Sequence, residues 1–419
     1  MAEKEIYVDQ LRVGLYIKLN LPWFSHPFMF NAFKIKNEDQ IKTIKSLGLE
    51  KIIYIPEKSD VEPLSSVKKT KINEIKKDIT KDVKSKLDEK FKKIRELKNI
   101  NKSLLKARKE YFDKIKQVNN CFARLLRKDE KSLNELREVV NKTIDLIMSH
   151  SNLVIHLIVS SDSEFEEFNH SVNVMVLSVM VGKAMGLDEE KLKNLGVGAL
   201  CHDVGKLKIE KKYWKKSLDK MSDAEKELVK LHPKYGVEIV TATASIPQDV
   251  YDIIYQHHER FLGGGFPLGI RGEKINKLAR IVTICNIYDK LCNPYDPNKA
   301  MSPFEALKYM FLECDTIIDF KIFDIFLKKI GIYPPGTVVM LNNEMIGKVI
   351  TTYIEHPNRP SLILYDPNVP KKDAALFNLI EYPDLYIVKT IKPSDLDIKI
   401  AKYLDVNLRV NYYVDSLDE

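Results

Sequence analysis

The stretch His257-His258-Glu259-Arg260-Phe261-Leu262-Gly263-Gly264-Gly265-Phe266-Pro267, HHERFLGGGFP, sets two imidazoles side by side and then gives up side chains for three residues. A chance pair ahead of a surface turn is the plain reading. The alternative is a metal site followed by a loop that must hug a ligand, because glycine tolerates positive φ and close backbone approach. The choice depends on whether other ligands accompany the pair.

They do. FEEFNHSVNVMVLSVMVGKAMGL reads as a helix, with Glu166 and His170 four apart on one face. ALCHDVGKL places His202 beside Asp203, with Lys206 one turn on, and LHPKYG supplies His232. Five of the nine histidines therefore fall within about 90 residues, at or near expected helix ends and faces. Imidazole nitrogen with carboxylate oxygen suits iron, manganese, zinc and similar ions. An aspartate bridges two ions with its two oxygens. Adjacent histidines on a helix point ~100° apart, which favours a multi-metal centre over a single ion. Paired ions activate water at neutral pH and clamp a phosphate, and Lys206 adds positive charge where a phosphoryl oxygen gains negative charge. A lone histidine is usually a core or surface group, and His26, His150, His156 and His356 are read so. The ordered set H…HD…H…HH is not.

The length of 419 residues predicts two or three domains, and 44% apolar with 30% charged residues fits a soluble globular chain. No apolar run reaches the ~18 residues of a membrane span. The start, MAEKEIYVDQLRVG, has no apolar signal core. Cys121, Cys201, Cys285, Cys292 and Cys314 are scattered and are read as reduced thiols, so a cytoplasmic location is expected. Net charge is +8, but Lys68 to Lys116 holds 19 Lys plus Arg against 8 Asp plus Glu. Acidic residues are interleaved there, which predicts a solvated helical face rather than a nucleic-acid surface.

Residues 1–60 are expected to form a small α+β module. Short β-branched runs broken by Gly14 suggest strands, NEDQIKTIKSLGL suggests a helix capped near Asn37 or Glu38 and ended by Gly48, and KIIYIP is a strand stopped by Pro56. Residues 61–134 are expected to be helical. Ile72, Ile75, Ile79, Val83, Leu87, Phe91, Ile94 and Leu97 step by three and four, and no glycine or proline occurs from Val67 to Ile155. A bent or hairpin segment is expected, suited to a dimerisation arm. Residues 135–330 hold the ligand set on helical pattern. Residues 331–419, with GIYPPGTVVMLNN, EMIGKVITTYIE and RPSLILYDP, predict a small β-rich module.

HDVGK followed by HHERFLGGGFPLGIRGEKI resembles the HD-GYP family, a subgroup of HD-domain metal phosphohydrolases, over about residues 165–310. IYVDQLRVGLYIKLNLPWFSHPFMF and GIYPPGTVVMLNN…GKVI resemble the small domain before that core and the extension after it in one bacterial subgroup. The resemblance implies an all-α HD-type core with two or three divalent ions, iron or manganese. It implies hydrolysis of the bacterial messenger cyclic di-GMP to pGpG, and in some members on to GMP. By the same resemblance Glu166 matches a third-metal ligand. His170, His202 and Asp203 match the HD-site ligands, with Asp203 bridging, and His232, His257 and His258 match the remaining histidines. Lys206 matches a phosphate-contacting lysine, so Asp203 and Lys206 are the catalytic candidates. Arg260, Gly263, Gly264, Gly265 and Phe266 match the loop beside the substrate. A homodimer through residues 61–134 and signalling protein partners are further candidates.

Three departures stand against this. The family's loop reads HHERxDGxGYP, and here Leu262 replaces the aspartate and Phe266 the tyrosine, with Gly263 and Gly265 on the pattern's glycines. Its ARI…AD..DAL pattern has a metal-binding aspartate where ARIVTICNIYDKL has Asn286, although Asp289 matches the second aspartate. Its DRPYR becomes NPYDPNK, so Tyr295 and Asn298 replace two arginines, with Lys299 nearby as a remaining substrate contact. Two readings follow: an active cyclic di-GMP phosphodiesterase, or a degenerate relative that binds metal, nucleotide or a partner without turnover. Altered phosphate contacts also leave room for another phosphoester.

Overall fold

A computed structural model describes residues 3–21, 25–65, 76–158, 166–216, 220–296, 299–353, 355–392 and 395–406. The chain divides into two compact units: Met1–Asn99 with Ile363–Phe377, and Ile100–Leu362 with Asn378–Glu419.

In the first unit, strands β1 (Lys4–Tyr7), β2 (Tyr16–Lys18), β3 (Ala32–Lys34) and β4 (Lys51–Tyr54) form an antiparallel sheet in the order β1-β4-β2-β3. Helix α1 (Glu38–Ser46) starts where the Asn37 side chain accepts from the Gln40 amide, and the chain turns out of it at Gly48, φ 74°. Ile41 and Ile44 of α1 bury against Ile6, Ile17 and Ile52 of the sheet. This is the expected α+β module. The apolar residues between β1 and β2 are not strand: Val8–Gln10 forms one 3-10 turn, held by the Gln10 side chain on the Tyr7 amide.

The glycine-free region forms two helices, α2 (Lys76–Leu125) and α3 (Glu130–Ile158). The break falls at Lys128, which takes φ 59°. Arg124 holds it, with Asp129 at 2.7 Å and both Glu135 oxygens at 2.9 and 3.0 Å.

The second unit is built around α4 (Glu166–Ala184), buried on every side from Ser171 to Gly182. A helix apolar all round belongs inside a bundle. Helices α5 (Glu189–Cys201), α6 (Lys211–Trp214), α7 (Asp223–Val229), α8 (His232–Thr241), α9 (Gln248–Gln256), α10 (Lys277–Cys292), α11 (Pro303–Glu313) and α12 (Phe320–Ile330) follow, and α4 packs on α3, α5, α10 and α12. Leu177, Leu200, Ile253, Ile281, Phe323 and Phe326 share its core. Each such side chain contributes ~1.5–3 kcal/mol by leaving water.

After the bundle come β5 (Val338–Leu341), β6 (Ile346–Thr351), β7 (Ser361–Leu364), β8 (Leu376–Asn378), β9 (Ile387–Ile391) and α13 (Ile398–Leu404). The strands make a five-stranded sheet in which β5 pairs antiparallel with β6 and β9. The region is β-rich, as its turns and β-branched runs predicted. Among the described residues no helix is long and apolar enough to cross a membrane. All five cysteines are unpaired.

Candidate metal centre

The bundle places ligands where helices end. His202 is the C-cap of α5, and Asp203 starts the 3-10 turn Val204–Lys208. His232 opens α8, and His257 is the C-cap of α9. His170 lies in the first turns of α4. The turn after Asp203 lies directly on α8, because a Cβ on Gly205 would overlap the His232 carbonyl oxygen. Only glycine permits that approach, and the approach brings His232 to Asp203.

Asp203 is the hub. Its Oδ2 faces His170 Nε2 at 3.5 Å and His202 Nε2 at 3.4 Å. Its Oδ1 faces His232 Nε2 at 3.2 Å and His257 Nε2 at 3.7 Å. The candidate ligand atoms of His170, His202 and Asp203 all lie within 4.8 Å of one another, as do those of Asp203, His232, His257 and His258.

The far side of each ring fixes its tautomer. Nδ1 of His202, His232 and His257 sits 2.6, 2.6 and 2.9 Å from the carbonyls of Ala199, Val229 and Ile254. A carbonyl only accepts, so each Nδ1 donates and each Nε2 keeps a lone pair. His170 does the same through Asp289, whose Oδ2 accepts its Nδ1 hydrogen at 2.7 Å. Four lone pairs thus turn toward one carboxylate, and His232 Nε2 and His257 Nε2 stand 3.2 Å apart. Nitrogen lone pairs this close repel unless a cation lies between them. His170 Nε2, His202 Nε2 and Asp203 Oδ1 are buried without a hydrogen-bond partner, a costly state for polar atoms that a metal ion relieves. The donor set fits divalent metal.

Charge follows burial. Desolvation pushes His202, His232 and His257 down to about 4, and His258 well below the ordinary imidazole value, so all are neutral at pH 7, the form that can bind a metal. Burial would raise Asp203, but Lys206, His202 and Lys290 outweigh it and hold the carboxylate well below its usual range. Lys206 Nζ lies 2.5 Å from Asp203 Oδ2.

The glycine loop folds back on the histidines. Glu259, 1% exposed, accepts from the amides of Leu268 and Gly269 at 2.6 and 3.1 Å. Phe266 N donates to His258 O at 3.2 Å, and its ring stacks on His258 at 4.6 Å and 15°. A Cβ on Gly265 would meet the Glu259 Cα at 2.5 Å, and Gly263 and Gly264 take φ 105° and 77°. The loop therefore closes over the histidine cluster as well as facing outward.

The other candidate residues divide. Asn286 is buried on α10 with Oδ1 unpartnered. Arg260 and Lys299 are exposed. The Glu166 side chain and all of Asn298 lie outside the described residues. His257 and His258 do not diverge as helical neighbours would. Helix α9 ends at Gln256, and their rings lie 4.3 Å apart at 47°. Sequence reasoning passed over Glu259, whose only signal is its place after the histidine pair. It also passed over Lys290, one turn beyond Asn286 on α10, pushed down to about 8 by burial and by Lys206.

Residues 152–322 match a family model described as an HD domain, and residues 338–399 match a KOW domain associated with the HD domain. Residues 3–136 match a domain of unknown function. A cyclic di-GMP phosphodiesterase of Pseudomonas aeruginosa is 30% identical over 204 residues, 49% of this chain and 49% of that protein. One from Borreliella burgdorferi is 24% identical over 237 residues, 56% of this chain and 62% of that protein. A 3'3'-cGAMP-specific phosphodiesterase of Vibrio cholerae is 28% identical over 165 residues, 39% of this chain and 35% of that protein. The chain thus aligns with about half the length of the first of these relatives. Among solved structures, an HDG"Y"P protein from Bdellovibrio bacteriovorus aligns at TM-score 0.47 and 19% identity, covering 78% of this chain and 98% of that one. The HD-domain match spans the helices that carry His170, His202, Asp203, His232, His257 and His258, so residues 152–322 of this chain are similar to an HD domain, with GFP in the loop.

Proposed function

We propose that this protein is a metal-dependent cyclic dinucleotide phosphodiesterase that opens cyclic di-GMP to pGpG, with GMP the product of any second cut, in bacterial second-messenger signalling. The observation that carries it is the convergence of four Nε2 atoms on the two oxygens of buried Asp203. His170, His202 and Asp203 would hold one ion, and Asp203, His232, His257 and His258 another. Nitrogen and oxygen donors without thiolate suit iron or manganese. Bound ions would supply water activation at neutral pH and neutralise phosphate charge. The chain's own part is to hold Asp203 rigid, keep each Nε2 unprotonated, and present the Lys206 ammonium where a phosphoryl oxygen gains charge.

Asn286 favours a second reading, binding without turnover, since a neutral amide stands where a charged ligand would strengthen the centre. One experiment separates the two. The protein is purified anaerobically, its metals are counted, and it is incubated with cyclic di-GMP and 3'3'-cGAMP before chromatographic separation of products. Linear dinucleotide with two or more metals per chain supports the enzyme. Full metal with no product over long incubation supports the binding module, and absence of metal after loading overturns the metal-dependent enzyme.

A further inference from the structure

We propose that Tyr295, backed by Trp214, is a purine-stacking surface of the substrate site, and this rests on the phosphodiesterase reading above. A line of contacts leads there from the metal centre. Lys206 Nζ, paired with Asp203, lies 5.6 Å from the centre of the Trp214 ring. The Trp214 ring lies 5.6 Å from Tyr295, at 59°. Lys215 Nζ stands 5.9 Å from Trp214 and 5.5 Å from Tyr295.

The two rings differ in what they can do. Trp214 is 8% exposed, and its indole N–H donates to the Ile209 carbonyl at 3.1 Å. It is fixed, and it supports its neighbour from within. Tyr295 is 41% exposed, far more open than Trp214. A single exposed tyrosine carries no message. This one follows the helix that bears Asn286 and Asp289, sits two ring contacts from the Asp203–Lys206 pair, and has the ammonium of Lys215, an exposed residue, over its ring. Aromatic faces flanked by cations suit a nucleotide, the ring taking the base and the ammonium attracting phosphate. A cyclic dinucleotide with one phosphate at Lys206 has a base within reach of such a ring. Stacking reads the π-face and not the base edge, so Tyr295 strengthens binding without choosing between guanine and adenine.

The test uses metal-loaded full-length protein, with calorimetric binding of cyclic di-GMP and 3'3'-cGAMP and turnover of both. Bis(p-nitrophenyl) phosphate serves as a phosphodiester without a purine. Tyr295→Ala should weaken Kd for both dinucleotides by roughly tenfold. It should raise KM for them more than it lowers kcat. The ratio of kcat/KM on dinucleotide to that on the purine-free diester should fall about tenfold with it. Tyr295→Phe, which keeps the face, should restore all three. An unchanged Kd, an equal loss on both substrate types, or Phe as harmful as Ala overturns the stacking role and leaves the phosphodiesterase reading standing. A wild-type protein that binds cyclic dinucleotide without cutting any diester overturns that reading, and the Kd comparison still decides Tyr295. A wild-type protein that cuts the purine-free diester and does not bind cyclic dinucleotide overturns both.

Discussion

Asp289 Oδ2 accepts the Nδ1 hydrogen of His170 at 2.7 Å, and that bond leaves His170 Nε2 facing Asp203 Oδ2 at 3.5 Å. Helix α10 thus sets the tautomer of a candidate ligand carried by α4. Asn173 and Asn293 donate to the other Asp289 oxygen at 2.8 and 2.9 Å, so the carboxylate is held from both sides. Asp289→Asn keeps the size but can offer an amide hydrogen to Nδ1 and release the tautomer. Such partners of ligands are worth ~10–100-fold in metal affinity, and that loss is expected here. Metal titration of the apo protein measures it. Unchanged affinity would reduce Asp289 to a packing group.

Gly205 is the second point of control. Its missing Cβ allows the turn carrying Asp203 and Lys206 to lie against the His232 carbonyl and the Gly236 amide. Gly205→Ala should push α8 away, cost about 1–3 kcal/mol or more, and lower the metal content. Gly264→Ala is the contrast. It has φ 77° but nothing within 4 Å of a new Cβ, so it should cost about 1–2 kcal/mol in strain and keep its metal. Thermal unfolding and metal analysis of both variants check the pair. Equal metal loss from both would refute the packing argument.

Most of the candidate cluster was legible because its residues are neighbours in the chain: HD and HH are adjacent pairs. Helix α1 was legible for the same reason, through Asn37 and Gly48. What was hidden depends on contacts across the chain. The convergence of His257 and His258 follows from α9 ending at Gln256, which the continuing polar sequence does not announce. The break at Lys128 has no glycine or proline to signal it, only ion pairs from Arg124 to Asp129 and Glu135. Asp289 was visible as a carboxylate near Asn286, but its hydrogen bond to His170 spans 119 residues. The grouping of Ile363–Phe377 with the first unit is likewise tertiary, and no periodicity carries it.

Asn286 and Lys290 stand four apart on α10, so they share a face. One brings no charge, and the other brings an amine whose value is drawn down by burial and Lys206 and drawn up by Asp203 and Asp289. Both make the centre more positive than a carboxylate beside an apolar residue would. Asn286→Asp should therefore tighten divalent metal by roughly tenfold, and Lys290→Met should act in the same direction. Competition with a chelator at fixed pH reads both. No change in either variant would mean that α10 does not shape the field at the metal.

Acid provides the last test. Burial pushes His202, His232 and His257 down to about 4, below the ~6.5 of an unfolded imidazole. Between those values the unfolded chain binds protons that the folded chain refuses, so stability rises with pH across that window. Their contribution is fully present above ~6.5 and is lost as pH falls toward 4. Metal steepens the loss, because protonated imidazole does not ligate. Apo protein melted at steps from pH 7.5 to 4.5 should lose Tm mainly below ~6.5, and the metal-loaded protein should lose more over the same steps. His257→Gln removes one of the three groups and should flatten the apo profile. A flat wild-type profile would mean that these imidazoles take up protons as readily folded as unfolded, which is incompatible with Nε2 lone pairs kept bare inside the bundle.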